Sequence, residues 1–163
     1  MLLIPTLAGL ELINEPFAGD LYRDPLLMVP FPNPASADRV NLQPAYDRVS
    51  AAVRAADADA LVFFAGVTWG DLGAGFSAAP GGSAHANKSV LAYHYYPPPQ
   101  DSAQLQFEAY SAAARRLGTA AFLTETSAPG SPWPASLPPK HRFETPGGVG
   151  DGADAALQSW AGF

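Results

Sequence analysis

Four short stretches of this chain are almost wholly apolar, and amphipathic helical repeats separate them. The stretches are Leu7–Asn14, between Pro5 and Pro16, "ALVFFAGV" (Ala60–Val67), "SVLAYHYY" (Ser89–Tyr96), stopped by Pro97-Pro98-Pro99, and "AAFLTE" (Ala120–Glu125). Their length and lack of alternation predict strands buried on both faces. Gln43–Asp57 reads as a helix, with Pro44 in its first turn and Tyr46, Val49, Val53 and Ala56 at spacings of three and four. Leu105–Leu117 reads as a second helix, with Phe107, Tyr110, Ala114 and Leu117 on one face and Gly118 as its C-cap. Gly152–Trp160 is read as a last short helix, and Phe17–Leu42, 70–88 and 126–150 as Pro/Gly-rich loops. Strands apolar on both faces, alternating with helices, are satisfied by a parallel sheet covered by helices.

The bulk numbers narrow the function. At 163 residues the chain has the length of one ordinary domain. With 48% hydrophobic and 15% charged residues it is not a disordered chain. The net charge is −6 and the nine basic residues are scattered, which argues against nucleic-acid binding and against a polybasic membrane anchor. Neither point excludes an uncharged or lipid-like substrate. There is no cysteine, and His85, His94 and His141 are too dispersed for a zinc site, so neither a metal nor a cofactor is expected. No stretch approaches the roughly 20 apolar residues of a membrane span. "MLLIPTLAGL" lacks the basic start and cleavage pattern of a signal peptide, so no cellular address is visible.

Each strand stretch ends in polar or aromatic groups: Asn14-Glu15, Thr68-Trp69, His94-Tyr95-Tyr96 and Thr124-Glu125. In a parallel β/α array these ends share one rim, where the loops that build active sites lie. Glu15 and Glu125, distant in sequence, would face each other there. Two carboxylates flanking a glycosidic bond are the minimum for glycoside hydrolysis, retaining at about 5–5.5 Å separation and inverting at about 6.5–9.5 Å. One must donate a proton while the other stays ionised, a division that mutual repulsion and partial burial produce. The expectation for these two is about 5 Å. His94 and Tyr96, two apart on a strand, project to one side. There the Tyr96 hydroxyl can hold a nucleophilic carboxylate, or the two rings simply pack. Trp69 has two readings, a flat face for a sugar ring or a core tryptophan. Trp133 and Trp160 carry less signal, and His85 and His141 read as solvated loop residues.

"GLELINEPFAGD", "LVFFAGVTW", "PGG…NKSVLAYHYYPP", "AFLTE" and "LQSW" together resemble the endoglycoceramidases and their glucosylceramidase-like relatives in glycoside hydrolase family 5. The resemblance runs along most of the chain in order and is weakest over 1–8 and 126–150. It implies an α/β fold, the C-terminal half of a (β/α)8 TIM barrel, comprising roughly strands four to seven or eight in one incomplete catalytic domain over 1–163. It further implies Glu15 as acid/base, Glu125 as nucleophile, Asn14 on the sugar 2-hydroxyl, and His94 and Tyr96 in support. The activity implied is release of the glycan, or of glucose, from the ceramide of a glycosphingolipid. The partners implied are a glycolipid substrate and, through it, a membrane surface, with no nucleic acid and no obligate protein partner. The apolar "LLMVPF" (Leu26–Phe31) suits a lipid-tailed leaving group or packing on the barrel.

A complete barrel takes about 250 residues, so on this resemblance the chain is a fragment lacking strands one to three. "QSWAGF" would stop short of strand eight, and Thr126-Ser127 stand where the family has an aromatic and a glycine. A half-barrel exposes strand edges and interior faces bearing Phe63, Leu91 or Tyr93, and Phe122, so the isolated chain is expected to self-associate and to be inactive. A non-catalytic glycan- or lipid-binding remnant is the alternative. A cellulase-like or mannanase-like polysaccharide hydrolase is the third reading, against which the apolar 17–42 loop argues.

Overall fold

The computed structural model describes residues 8–17, 37–67, 74–96, 103–126, 149 and 153, and the backbone of 159–160. Among them, five strands form one sheet: β1 (Leu10–Glu11), β2 (Val62–Ala65), β3 (Ser89–Tyr95), β4 (Ala120–Thr126) and β5 (Ser159–Trp160). Every neighbouring pair is parallel and the spatial order equals the chain order. A run of parallel strands laid down in sequence is a sector of a (β/α)8 barrel, the architecture expected.

Two helices cover one face, α1 (Gln43–Ala56) and α2 (Ala103–Leu117). A π-helical turn, Asp38–Leu42, runs directly into α1, so the loop read as ending at Leu42 ends earlier. α1 is also rotated from its expected face: Tyr46 and Ser50 are buried, whereas Val49 is exposed. Polar anchors decide that rotation. The Tyr46 hydroxyl donates to the Ala65 carbonyl at 2.9 Å, and Arg54, one turn beyond Ser50, donates to the carbonyls of Pro80 and Lys88 and to Ser89 Oγ. α2 buries Phe107, Tyr110, Ala114 and Leu117 as its spacing predicts. It ends in a Schellman motif. Gly118, at φ 73°, donates to the Arg115 carbonyl, and Thr119 donates to that of Ala114.

The core lies between helices and sheet and includes Tyr46, Phe64, Leu91, Tyr93, Tyr95 and Phe107. Leu91 and Tyr93 therefore face the helices, which corrects the expectation that one of them fills the barrel interior. Phe63 and Phe122 do occupy the opposite, inner face, their rings 5.8 Å apart and edge-on. The C-terminal expectation is corrected too. Positions 149 and 153 are helical, but Ser159–Trp160 pairs with Phe122 and Leu123 as a strand. A short polar–aromatic run carries no decisive period, and the free edge of β4 settles its conformation.

β1 hydrogen-bonds to β2 through Leu10 and Leu12 N–H, which donate to the carbonyls of Leu61 and Phe63. Gly9 permits that approach: a Cβ there would lie 2.5 Å from Phe63 Cε2 and 2.8 Å from the Leu61 carbonyl oxygen. Gly9→Ala is expected to push β1 off β2 and lower stability by about 1–3 kcal/mol, read from the urea midpoint. An unchanged midpoint would show that the two strands are not packed this closely. Among the described residues, no helix is long and apolar enough to cross a membrane.

Candidate active site

Three strand ends build the site. β1 is followed by Leu12 and Ile13, and then the chain bends at Asn14-Glu15, and Pro16 allows no further ladder donor. Glu15 has φ 43°, in the left-handed region. That conformation costs a non-glycine residue about 1–2 kcal/mol, and a following proline restricts it further. Strain of this kind persists where the surroundings hold the residue in place, as at functional sites. Here it delivers Glu15 Oε1 to within 3.1 Å of His94 Nδ1.

His94 comes from β3, whose alternation sends Tyr93 and Tyr95 into the core and Ala92 and His94 to the inner face. Glu125 reaches the same face through an irregularity in β4. Tyr93 pairs with Leu123 but His94 pairs with Glu125, so Thr124 is the extra residue of a β-bulge. In an unbroken strand Glu125 would share the helix-facing side of Leu123. With the bulge it faces inward beside His94, and Thr126 takes the buried outer position instead.

The outcome is a compact cluster. His94 Nδ1 lies 3.5 Å from Glu125 Oε2 as well, and one ligand atom each of Glu15, His94 and Glu125 lie within 4.8 Å of one another. The nearest oxygens of the two carboxylates are therefore within 4.8 Å of each other, a closeness that would suit a double displacement, in which the two carboxyl groups stand about 5–5.5 Å apart. The side chains of Glu15 and Glu125 are 40% and 25% exposed, against 12% for His94, so the imidazole forms the floor and both carboxylates open outward. The Tyr96 hydroxyl donates to Glu125 Oε2 at 3.3 Å. Burial first, then the charge of Glu125, push the Tyr96 hydroxyl up to about 12, so it remains a donor across the physiological range. The His94 and Tyr96 rings stand edge-on, 6.5 Å apart. The three clustered side chains are also close enough to share a cation, which would sit between the carboxylates.

Asn14 is exposed beside Glu15 at the end of β1. Thr68, Trp69, Trp133 and His141 lie outside the described residues, as do "LLMVPF" and the side chain of Trp160. His85 is half-buried in a 3₁₀ turn, Ser83–Lys88, rather than solvated in a loop.

Two residues escaped the sequence reading. Asp38, 1% exposed, accepts the N–H of Val67 at 2.9 Å and that of Gly75 at 2.6 Å, the residues flanking 68–74. Its signal was faint: one Asp just ahead of a helical period. Glu11 is a charged residue inside an apolar strand run and stands on the inner face. Although the residue is exposed, partial desolvation of its carboxyl holds it above the ordinary range, with the His94 charge opposing and the Glu125 charge adding.

The Cellulase (glycosyl hydrolase family 5) profile matches residues 5–133. A protein of Cyanea nozakii named endoglycoceramidase is 54% identical over 117 residues, covering 72% of this chain and 22% of the relative. One of Hydra vulgaris with the same name is 41% identical over 159 residues, covering 98% of this chain and 28% of the relative. The chain thus spans about a quarter of the length of these relatives. No solved structure matches. By the extent of the profile match and the identity to these relatives, the chain belongs to glycosyl hydrolase family 5.

Proposed function

We propose that this chain is part of the catalytic domain of a retaining β-glycosidase that cleaves glycosphingolipids, releasing glycan or glucose from ceramide. The observation that carries the reading is the pair of carboxylates, Glu15 and Glu125, within 4.8 Å of each other across His94. Glu125 is the nucleophile. Its carboxylate attacks the anomeric carbon while the bond to the ceramide oxygen breaks, and Glu15 gives its proton to that oxygen. Glu15, now ionised, takes a proton from water, the water oxygen attacks the same carbon, and the Glu125 carboxylate leaves. Two inversions retain configuration, and both carboxyls return to their starting states. Tyr96 orients Glu125 by its hydrogen bond, His94 keeps the two carboxylates apart and in place, and Asn14 binds the sugar 2-hydroxyl. Trp69 is assigned to the sugar face.

The glycolipid substrate is supported by the names of the two relatives and brings the site to a membrane surface through the ceramide. The test is hydrolysis of fluorescent glucosylceramide and lactosylceramide by the full-length protein, with cello-oligosaccharides alongside. Release of ceramide with retained sugar configuration is expected. Cleavage of cello-oligosaccharides alone would move the assignment to a polysaccharide hydrolase, and no cleavage of any of them would leave the non-catalytic reading.

A further inference from the structure

The rim end of β2 is held by side chains that the mechanism above does not use. β2 lies between β1 and β3, so the chain that leaves it rises between the strands that carry Glu15 and His94. Ala65 pairs with Ala92, and carried two residues further this register sets Val67 level with His94. Thr68 and Trp69 follow in the sequence, and the chain is back in the core at Ala74 and Phe76, both buried. Both stems of this excursion are bound to one carboxylate. Asp38, from the π-helical turn ahead of α1, accepts the outgoing Val67 N–H on Oδ1 and the returning Gly75 N–H on Oδ2. Gly66 fits against it: a Cβ there would stand 3.2 Å from Asp38 Oδ2 and 3.4 Å from Ala74 Cβ. Arg116, in the last turn of α2, donates to the carbonyls of Ala74 and Phe76. Gln43 Oε1 accepts the Ser77 N–H at 3.2 Å, and the Tyr46 hydroxyl holds the Ala65 carbonyl.

Packing alone does not call for a carboxylate here. Burying one is costly unless it is hydrogen-bonded, and an apolar side chain would fill the same space without that cost. What the carboxylate adds is geometry, since its two directed bonds tie two separated backbone positions to a single point. We propose that Asp38 is a positioning residue of the active site: with Arg116 it fixes the two stems of the segment that carries Thr68 and Trp69, and so sets how that segment is presented to the sugar beside Glu15 and His94. The inference rests on the glycosidase reading and on the assignment of Trp69 to the sugar face. Asp38 touches no reacting atom and acts only through the segment it anchors. Rim loops carry binding groups on a rigid scaffold, and a misplacement of about 1 Å can cost on the order of 10²-fold in rate.

The test uses the full-length protein at a temperature where every variant is folded. Asp38→Asn keeps the shape and one acceptor but loses the other. Amide hydrogen exchange across 67–75 should therefore quicken by roughly fivefold or more, while α2 keeps its protection. With glucosylceramide, kcat/KM should fall by roughly 10- to 100-fold. In a Trp69→Ala background the same substitution should cost less than about twofold, because the group it positions is gone. Arg116→Gln should repeat this non-additivity through the returning stem, and it carries the test if Asp38→Asn does not fold. Arg54→Gln loosens the opposite end of the sheet, where β3 begins, and should leave kcat/KM within about twofold of the parent. Equal falls with and without Trp69 would overturn the proposal, since general loosening acts in either background. Unchanged exchange at 67–75 in Asp38→Asn would overturn it as well, and so would a fall of the same size in Arg54→Gln. If the parent cleaves no glycoside the glycosidase reading fails, while the exchange of 67–75 still decides whether Asp38 fixes the segment.

Discussion

Glu125→Gln in the full-length protein is expected to abolish turnover of glycolipids and of activated aryl glycosides alike, by on the order of 10⁴- to 10⁶-fold, the scale on which removal of a nucleophile acts. Glu15→Gln is expected to behave differently with the two substrates. A ceramide alkoxide is a poor leaving group and needs the proton, so its cleavage should fall by roughly 10²- to 10⁴-fold. A nitrophenolate leaves without a proton, so formation of the glycosyl-enzyme should be largely spared. The step that then suffers is attack by water, which has lost its base. An anionic nucleophile such as azide needs no base, so it should restore turnover of the aryl substrate by Glu15→Gln and leave Glu125→Gln dead. Steady-state rates with both substrates, with and without azide, measure all of this. Equal losses on both substrate types in Glu15→Gln would show that the acid is another residue.

Asp38→Ala is expected to cause the largest loss of stability. The Val67 and Gly75 amides would lose a buried acceptor. At about 1–3 kcal/mol for each unsatisfied group, the loss is roughly 2–6 kcal/mol, a large share of the about 5–15 kcal/mol of an ordinary domain. It should also depend on pH. Burial raises the Asp38 carboxyl above its ordinary range, and the two backbone bonds lower it by less. A raised acid binds its proton more tightly in the folded than in the unfolded chain. Its stabilising share is thus full below the unfolded value and lost as pH rises through the folded one. The gap between parent and Asp38→Ala should therefore be wider near pH 4 than at neutrality. Urea midpoints across that range test it, and a gap that grows toward neutrality would contradict the burial argument.

Much of this was legible in the residues themselves. Apolar runs bounded by proline, separated by periods of three and four, leave little choice but parallel strands under helices, because both faces of each strand must be covered. The strand ends then share a rim, so Asn14-Glu15, His94, Tyr96 and Glu125 were brought to one end by topology alone. The helix α2 and its Gly118 stop needed nothing beyond spacing and a residue that tolerates positive φ.

Other features depended on contacts distant in sequence. The face that α1 buries is set by Tyr46 and Arg54 finding carbonyls on β2 and the 80–89 segment, a choice that outweighs the apolar period containing Val49. Ser159–Trp160 is a strand because the edge of β4 offers partners, not because its residues demand it. The same holds for the two rim carboxylates. Strict alternation through "AAFLTET" places Glu125 with Leu123, facing the helices, and nothing in those seven letters marks Thr124 as the extra residue. Pairing with β3 inserts the bulge and turns Glu125 inward, and the left-handed Glu15 completes the approach. The sequence by itself determined which side chains reach the rim. The tertiary structure decided which way they face, because a period of two is reversed by a single residue and only the neighbouring strand determines whether that residue is counted.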